Sequence, residues 1–156
     1  MKIAVFSDSH RNIANMREAV RAERPDYIFH LGDHYTDAEQ LSREFADIPV
    51  CKIRGNCDLS PVGELRVLTR LGGRTIFAAH GHTYNVKYGY DAIINTAMSA
   101  GADILLFGHT HIPYEEERDG LIIINPGAIG YGMTYEIIEI EDGMVKYARR
   151  SVYDLR

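Results

Sequence analysis

The chain has 156 residues, of which 46% are hydrophobic and 25% are charged, and its formal net charge is −5. These values are those of an ordinary globular protein, and they exclude a collagen-like or disordered chain. The acidic balance and the lack of a block of lysine or arginine disfavour an extended nucleic-acid surface. No apolar run is long enough to cross a membrane, and the N-terminus lacks the pattern of a signal peptide. We therefore expect one cytoplasmic domain over residues 1–156.

The first third of the chain alternates strands with helices. We predict strands at residues 2–7, 27–31 and 49–53, and helices at residues 12–23 and 37–46. Asn12 has the residue type of a helix N-cap, and Pro25 ends the first helix. This β-α-β-α-β order predicts a parallel sheet that is covered by helices.

The rest of the chain is richer in strands. We predict strands at residues 64–70, 74–80, 103–107, 114–118, 121–125, 134–140 and 144–152, and a helix at residues 88–100. The turn sequences LGGR, DG and EDG separate three pairs of these strands, which indicates antiparallel hairpins. The pattern predicts an α/β fold in which two mixed sheets pack together and helices lie outside.

Cys51 and Cys57 are the only cysteines, and five residues separate them. Without a signal peptide a disulfide framework is not expected, and the spacing does not match a CxxC metal or redox motif. We expect Cys51, in the apolar run PVCKI, to be a buried apolar side chain.

Five predicted strands run directly into polar residues of the kinds that bind metals. These residues are Asp8 and His10, then Asp33, then Asn56 and Asp58 after Arg54, then His80 and His82, and finally His109 and His111. In open α/β sheets, ligands bind at the carboxyl ends of the strands. The pairs Asp8/His10, His80/His82 and His109/His111 have i, i+2 spacing, which projects both side chains to one side of an extended backbone.

The chemistry of these side chains indicates a metal centre. Carboxylate, imidazole and amide oxygen without thiolate suit Mn²⁺, Fe or Zn²⁺. The ligands are more numerous than one tetrahedral metal needs, so we predict a site for two metals. Each short motif alone is more often a cap or a turn, and it is their combination that supports the prediction.

Six motifs occur in order along nearly the whole chain: SDSH (7–10), LGD (31–33), RGNCD (54–58), HGH (80–82), GHTH (108–111) and NPGA (125–128). With these motifs the chain resembles the calcineurin-like metallophosphoesterase superfamily, and most of all its small single-domain bacterial and archaeal phosphodiesterases. The resemblance implies a four-layer α/β/β/α sandwich and two divalent metal ions. Manganese is the expected metal, with iron, zinc, nickel and magnesium as alternatives.

The resemblance also implies roles for individual residues. Asp8, His10 and His111 would bind the first metal, Asn56, His80 and His109 the second, and Asp33 would bridge the two. Asp33, Asn56, His82 and Arg54 are the expected catalytic residues, and Arg54 or Arg11 would stabilise charge on the phosphoryl oxygens. Asp58 would orient a ligand, and the NPG turn would shape the loop beneath the site.

The implied reaction is attack on phosphorus by a water that loses its proton between the two metals. Many members of the superfamily carry a histidine after the asparagine of the RGN loop, assigned as the acid that protonates the leaving group. This chain has Cys57 there, and a thiol is the weaker acid catalyst near pH 7. We therefore expect a preference for esters with acidic leaving groups, such as aryl phosphodiesters.

Three functions remain open at this point. The first is a metal-dependent phosphodiesterase, which would act on a small-molecule or nucleotide-like phosphodiester, as a monomer or a homo-oligomer. The second is a non-catalytic metal-binding scaffold, as the retromer subunit with this fold is usually read. The third is a phosphomonoesterase or nucleotidase. Every implied ligand position carries a ligand residue, which favours an enzyme.

Two local features are also left open. The tyrosines of residues 83–90 would either stack on a nucleobase or aryl group or pack the start of a helix. We expect His30 to lie in the core. His34, which follows Asp33, would either reach the mouth of the pocket or lie in a solvated loop, and we favour the loop.

Overall fold

The computed structural model describes residues 1–156. The strands are β1 (Lys2–Phe6), β2 (Tyr27–His30), β3 (Val50–Lys52), β4 (Arg66–Leu71), β5 (Arg74–Ala79), β6 (Ile104–Leu106), β7 (Tyr114–Arg118), β8 (Leu121–Asn125), β9 (Thr134–Glu141) and β10 (Met144–Ser151). The helices are α1 (Ile13–Glu23), α2 (Tyr35–Glu44) and α3 (Asp91–Ser99), with short 3₁₀ helices at His82–Tyr84 and Val152–Leu155.

The ten strands form two five-stranded mixed sheets. The first has the order β10-β9-β1-β2-β3, and the second has the order β4-β5-β6-β8-β7. Strands β1, β2 and β3 are parallel, as are β5, β6 and β8. Strands β9, β4 and β7 pair antiparallel with β1, β5 and β8, and β10 pairs antiparallel with β9. The parallel strands of each sheet end at the same edge, so the loops that follow them lie together.

The apolar side chains divide into three clusters that correspond to the layers. One lies between the two sheets and includes Val5, Phe29 and Ile104. The second joins α1 and α2 to the outer face of the first sheet, and the third joins α3 to the outer face of the second sheet. The predicted α/β fold, a four-layer α/β/β/α sandwich, is confirmed.

The helices differ from the prediction at their ends. Asn12 precedes α1, but its side chain does not cap the helix and instead donates to the carbonyl oxygen of Gly130 at 3.0 Å. Helix α2 begins two residues earlier than predicted, because the backbone N–H of Tyr35 is held by the Asp58 carboxylate at 2.7 Å. Helix α3 begins at Asp91 because Gly89, with φ +150°, interrupts the helical backbone.

The three predicted hairpins form, and both central residues of each turn have positive φ, as in Gly72 and Gly73. Strand β4 is shorter than predicted, since Glu64 makes only an isolated bridge to Ile53. Cys51 is half-buried against the core between the sheets, and both cysteines are free. No helix of the chain has the length and apolar character needed to cross a membrane.

Candidate metal centre

The predicted ligands meet at the edge where the parallel strands of both sheets end. Asp8, Asp33 and Asn56 follow β1, β2 and β3 of the first sheet, and His80 and His109 follow β5 and β6 of the second. The fold therefore brings together side chains that are up to about a hundred residues apart in the chain, as the sequence predicted.

Two groups of potential ligand atoms form at this edge. In the first group, ligand atoms of Asp8, His10, Asp33 and His111 all lie within 4.8 Å of one another. His111 Nε2 is 3.0 Å from Asp8 Oδ1 and 3.4 Å from His10 Nε2. This is the set that the resemblance assigned to the first metal, with the expected bridging residue included.

The second group consists of Asp33, His80 and His109, again within 4.8 Å. His80 Nε2 lies 3.2 Å from His109 Nδ1 and 3.5 Å from Asp33 Oδ1. The side-chain oxygen of Asn56 lies 3.1 Å from the same His80 nitrogen. Asp33 belongs to both groups, which is the position that a bridging ligand must occupy.

The donor atoms fit two divalent cations. In each group two imidazole nitrogens face each other at hydrogen-bond distance while carboxylate oxygens point at the same place. The backbone carbonyl of Leu31 accepts a hydrogen bond from His80 Nδ1 at 2.9 Å, so the lone pair of Nε2 faces the group. Fixing the imidazole tautomer in this way is characteristic of histidines that bind metals.

Asp8 and Asp33 are buried, yet both are ionised at neutral pH. Burial raises the pKa of Asp8, but the hydrogen bond from His111 and the charge of His80 outweigh it, so the pKa falls below its usual value. Burial also raises the pKa of Asp33, and the hydrogen bond and charge of His80 lower it well below the usual range. Two anionic carboxylates at one place favour a cation.

The pKa values of the histidines in the two ligand groups are shifted in opposite directions. Burial and the charge of His80 lower the pKa of His109 to about 4, so this imidazole is neutral at pH 7. The hydrogen bond to Asp8 raises the pKa of His111, and for His80 the charges and hydrogen bond of the carboxylates outweigh burial and raise the pKa as well. A cation that binds there displaces protons, because imidazole binds metals in its neutral form.

The backbone around the site is unusual. Seven residues have left-handed φ angles between +46° and +70°, a conformation that non-glycine residues rarely adopt: Asp8, His10, Arg11, Asp33, His34, His109 and His111. Strained backbone of this kind persists only where the surrounding structure enforces it, and it concentrates at functional sites.

Asp58 organises the loops after β2 and β3. Its carboxylate accepts hydrogen bonds from the backbone N–H groups of Asp33, Gly55 and Tyr35 at 3.1, 2.8 and 2.7 Å. A side chain at Gly55 would collide with the Asp33 carboxylate, so the loops approach closely only because position 55 is glycine. Asp58 thus takes the orienting position that the resemblance implied.

The loop of Asp8 to Arg11 is held by a polar network that sequence reasoning missed. Asp37 Oδ2 accepts hydrogen bonds from the Ser9 hydroxyl at 2.7 Å and from the Arg11 N–H at 2.8 Å. His30 Nε2 lies 3.0 Å from the same hydroxyl. His30 is buried as predicted, but it serves this network as well as the core. An aspartate at the start of a helix indicates only a favourable charge, so the sequence carried no distinct signal for Asp37.

The NPG turn holds the loop through which the second sheet contributes ligands to the candidate metal centre. The Asn125 amide donates to the Gly108 carbonyl at 3.1 Å and to the Thr110 hydroxyl at 3.0 Å, and its side-chain oxygen accepts from Gly127 N–H at 2.9 Å. The turn therefore shapes the loop that carries His109 and His111, as expected.

The remaining predicted site residues lie around the two groups. The His82 ring centroid is 5.3 Å from that of His80, and its buried Nδ1 has no hydrogen-bond partner. Arg54 donates to the Ser60 carbonyl at 3.2 Å and lies near enough for its charge to lower the pKa of His82, after the larger effects of burial and His80.

Both the backbone and the thiol of Cys57 lie beside the Asp33 carboxylate. The Cys57 N–H donates to Asp33 Oδ1 at 2.9 Å, while the residue itself is exposed. Partial burial and the nearby Asp33 raise the pKa of the thiol to about 11, so the thiol is protonated at neutral pH.

The tyrosine loop and His34 lie on either side of these groups. Tyr84 and Tyr90 pack against Phe77 and Phe107, which supports the helix-packing interpretation for them, whereas Tyr88 is exposed. The expectation of a solvated His34 was wrong in part. The ring is half-buried, 5.3 Å from that of His10, because left-handed backbone at His34 turns the chain back toward the site.

Known proteins are similar to this chain in sequence and in fold. A sequence model of the calcineurin-like phosphoesterase superfamily domain matches residues 1–143. The chain is 33% identical to the probable metallophosphoesterase YsnB of Bacillus subtilis, over 83% of this chain and 75% of YsnB. It is 26% identical to phosphodiesterase MJ0936 of Methanocaldococcus jannaschii, over 99% of this chain and 100% of that protein.

Among solved structures, zinc-complexed Vps29 from Entamoeba histolytica matches with a TM-score of 0.76 and 20% identity, covering 97% of this chain and 99% of that one. At this identity the likeness shows a common fold. The family match and the 33% identity to a metallophosphoesterase go further. This chain therefore belongs to the calcineurin-like phosphoesterase superfamily.

Proposed function

We propose that residues 1–156 form one metal-dependent phosphodiesterase domain. The domain binds two divalent cations, with manganese as the preferred metal. Its two free cysteines suit a reducing compartment of the cell. The observation that carries the proposal is the pair of ligand groups that share Asp33. Asp8, His10 and His111 complete the first group, and His80, His109 and Asn56 complete the second. When bound, two such cations polarise the phosphoryl oxygens and lower the pKa of a water molecule that attacks phosphorus.

The protein's own residues hold this arrangement in place. Asp58 holds the backbone N–H of Asp33, the Cys57 N–H donates to the Asp33 carboxylate, and the Leu31 carbonyl fixes the orientation of His80. His82 and Arg54, beside the second group, would face the non-bridging oxygens of the phosphate and stabilise the charge that develops there.

A diester is favoured over a monoester by the small number of cationic side chains near the centre. A dianionic monoester is best bound by a clamp of several basic groups. Here the Arg54 guanidinium is already bonded to a loop carbonyl, and Lys87 is near enough for its charge to lower the pKa of His109 and His111, but no side chain of Arg11, Arg54 or Lys87 hydrogen-bonds to either ligand group. The phosphodiesterase name of MJ0936, which aligns over its full length, supports the same choice.

A non-catalytic scaffold is the second candidate, because the fold is also that of Vps29. The Entamoeba histolytica Vps29 was solved in complex with zinc, so metal binding alone does not separate the two functions. Every implied ligand position in this chain carries a ligand residue, which favours the enzyme.

The test is hydrolysis of bis(p-nitrophenyl) phosphate by protein loaded with Mn²⁺, compared with p-nitrophenyl phosphate. Asp33→Ala should lower the rate at least about a hundredfold. Asp91→Ala, which removes a carboxylate that is 91% exposed and belongs to neither ligand group, should not change it. Bound metal with no hydrolysis of either ester would favour the scaffold, and faster hydrolysis of the monoester would favour a phosphomonoesterase.

A further inference from the structure

A cavity of about 330 Å³ opens beside the candidate metal centre. Three of its lining residues each directly follow a candidate ligand in the chain: Arg11 after His10, His34 after Asp33, and Cys57 after Asn56. The cavity and the centre are therefore built by the same three loops. A group that extends from a phosphate at the centre can enter the cavity without leaving the surface of the protein.

Tyr35 borders the cavity, and its position is fixed from several sides. Its N–H donates to Asp58, the residue that also holds Asp33. A Cβ atom at Gly63 would lie only 2.5 Å from Cε2 of the tyrosine, so the ring rests directly on glycine backbone. The Lys52 ammonium is 5.9 Å from the ring centroid. The ring is thus a rigid wall whose placement is coupled to the metal loops.

Two further apolar side chains line the cavity and are open to solvent. Leu59 is 95% exposed and Val62 is 56% exposed, and both line the cavity together with Tyr35. Apolar side chains that cluster at a concave, exposed place are characteristic of ligand sites. Polar groups of Thr36 and Glu39 lie at the same cavity, where they can pair with the edge of a ring.

We infer that this cavity binds the aromatic ring of one ester substituent, so that the substrates are aryl or nucleoside phosphodiesters. The inference rests on the proposed function for the position of the phosphate. An aromatic wall with two aliphatic side chains and polar edge groups suits a flat ring with polar substituents. A volume of about 330 Å³ is also sufficient for a group of nucleoside size.

The test measures binding of two ligands that share a head group, phenylphosphonate and methylphosphonate, by calorimetry with Zn²⁺-loaded protein. Wild type should bind the phenyl compound about tenfold more tightly, the effect of one well-placed aromatic contact. Tyr35→Leu removes the ring but keeps an apolar side chain, and it should reduce this preference to about twofold. The weak binding of methylphosphonate should stay the same.

Tyr131→Leu is the matched control. Tyr131 is also an exposed tyrosine near the centre, 81% exposed and 6.0 Å from the His10 ring, but it does not line the cavity. The phenyl preference should survive this change. Equal binding of the two phosphonates by wild type would overturn the inference, as would a preference that is lost in Tyr131→Leu and kept in Tyr35→Leu.

Two further measurements distinguish a nucleoside from a simple aryl group as the occupant of the cavity, and they separate failure of this inference from failure of the proposed function. The first measurement compares the KM values of thymidine 5′-(p-nitrophenyl phosphate) and methyl p-nitrophenyl phosphate. These two substrates differ only in that the nucleoside of the first is replaced by a methyl group in the second. A lower KM for the thymidine ester that Tyr35→Leu abolishes assigns the cavity to nucleosides, and equal values assign it to simple aryl groups. If no ester is hydrolysed, the proposed function fails, while the phosphonate comparison still decides whether the cavity selects an aromatic ring.

Discussion

The carboxylate of Asp58 accepts a hydrogen bond from the backbone N–H of Asp33 at 3.1 Å, although Asp58 belongs to neither ligand group. The same carboxylate holds the N–H groups of Gly55 and Tyr35. One side chain therefore helps to place the aspartate that both ligand groups share, the RGN loop and the wall of the neighbouring cavity.

Removing this carboxylate should weaken metal binding while the ligands remain. Asp58→Ala should lower the metal affinity about 10- to 100-fold, the usual cost of losing a residue that orients ligands. Asp58→Asn, which keeps one acceptor oxygen, should fall between this variant and wild type. Competition with a fluorescent chelator measures the affinities. An affinity equal to that of wild type in Asp58→Ala would show that the loops hold Asp33 without it.

The two ligand groups predict different metal contents for different variants. His111 belongs only to the first group and His109 only to the second, whereas Asp33 belongs to both. His111→Ala and His109→Ala should each retain about one metal per chain, and Asp33→Ala should lose most of both. Elemental analysis after gel filtration gives the ratios. The same ratio for all three variants would contradict the separation into two groups.

The presence of Cys57 in place of a histidine leads to a prediction of how the hydrolysis rate depends on the leaving group. Without an imidazole acid, wild type should hydrolyse a series of phosphodiesters at rates that fall steeply as the leaving group becomes more basic. Cys57→His should flatten this dependence and raise the rate for alkyl esters, relative to aryl esters, at least about tenfold. Cys57→Ser serves as the control and should keep the steep dependence. Parallel plots for wild type and Cys57→His would refute the prediction.

Glu136 predicts a pH dependence of stability that is independent of the metal centre. This residue of β9 is fully buried, and neither carboxylate oxygen has a hydrogen-bond partner. Burial, followed by the charge of Glu115 on β7, raises its pKa from 4.5 to about 8. Between these values the folded chain binds a proton that the unfolded chain releases, so this stabilisation is present below about pH 4.5 and is lost as the pH rises through about 8.

Glu136→Gln, which resembles the protonated acid, should remove this loss. Relative to wild type, the variant should be more stable at pH 8 than at pH 5 by at least about 1 kcal/mol, as measured by urea denaturation. Glu139→Gln changes a side chain of the same strand that is about half exposed and is the matched control. If Glu136→Gln and wild type show the same pH dependence, Glu136 is ionised in the folded protein.

The sequence predicted most elements and the convergence of the ligands, because both follow from local patterns. Short apolar runs bounded by polar and turn residues indicate the strands, and the parallel strands deliver His80 and Asp33 to one edge. It did not predict that β9 would pair with β1 through Ile138 and Ile3, because pairing over 135 residues depends on packing of the whole sheet. Nor did it predict the side-chain partner of Asn12, since Gly130 is close only in the folded chain.

The candidate metal centre draws its residues from both sheets, with Asp8 and Asp33 following strands of the first and His80 and His109 following strands of the second. Otherwise the facing surfaces of the sheets are held mainly by apolar contacts, and both cysteines are free. A cation bound there is a reversible cross-link between the two halves of the fold, and chelating it should lower the melting temperature. The supply of metal in the cell would then govern how long the protein persists as well as whether it is active.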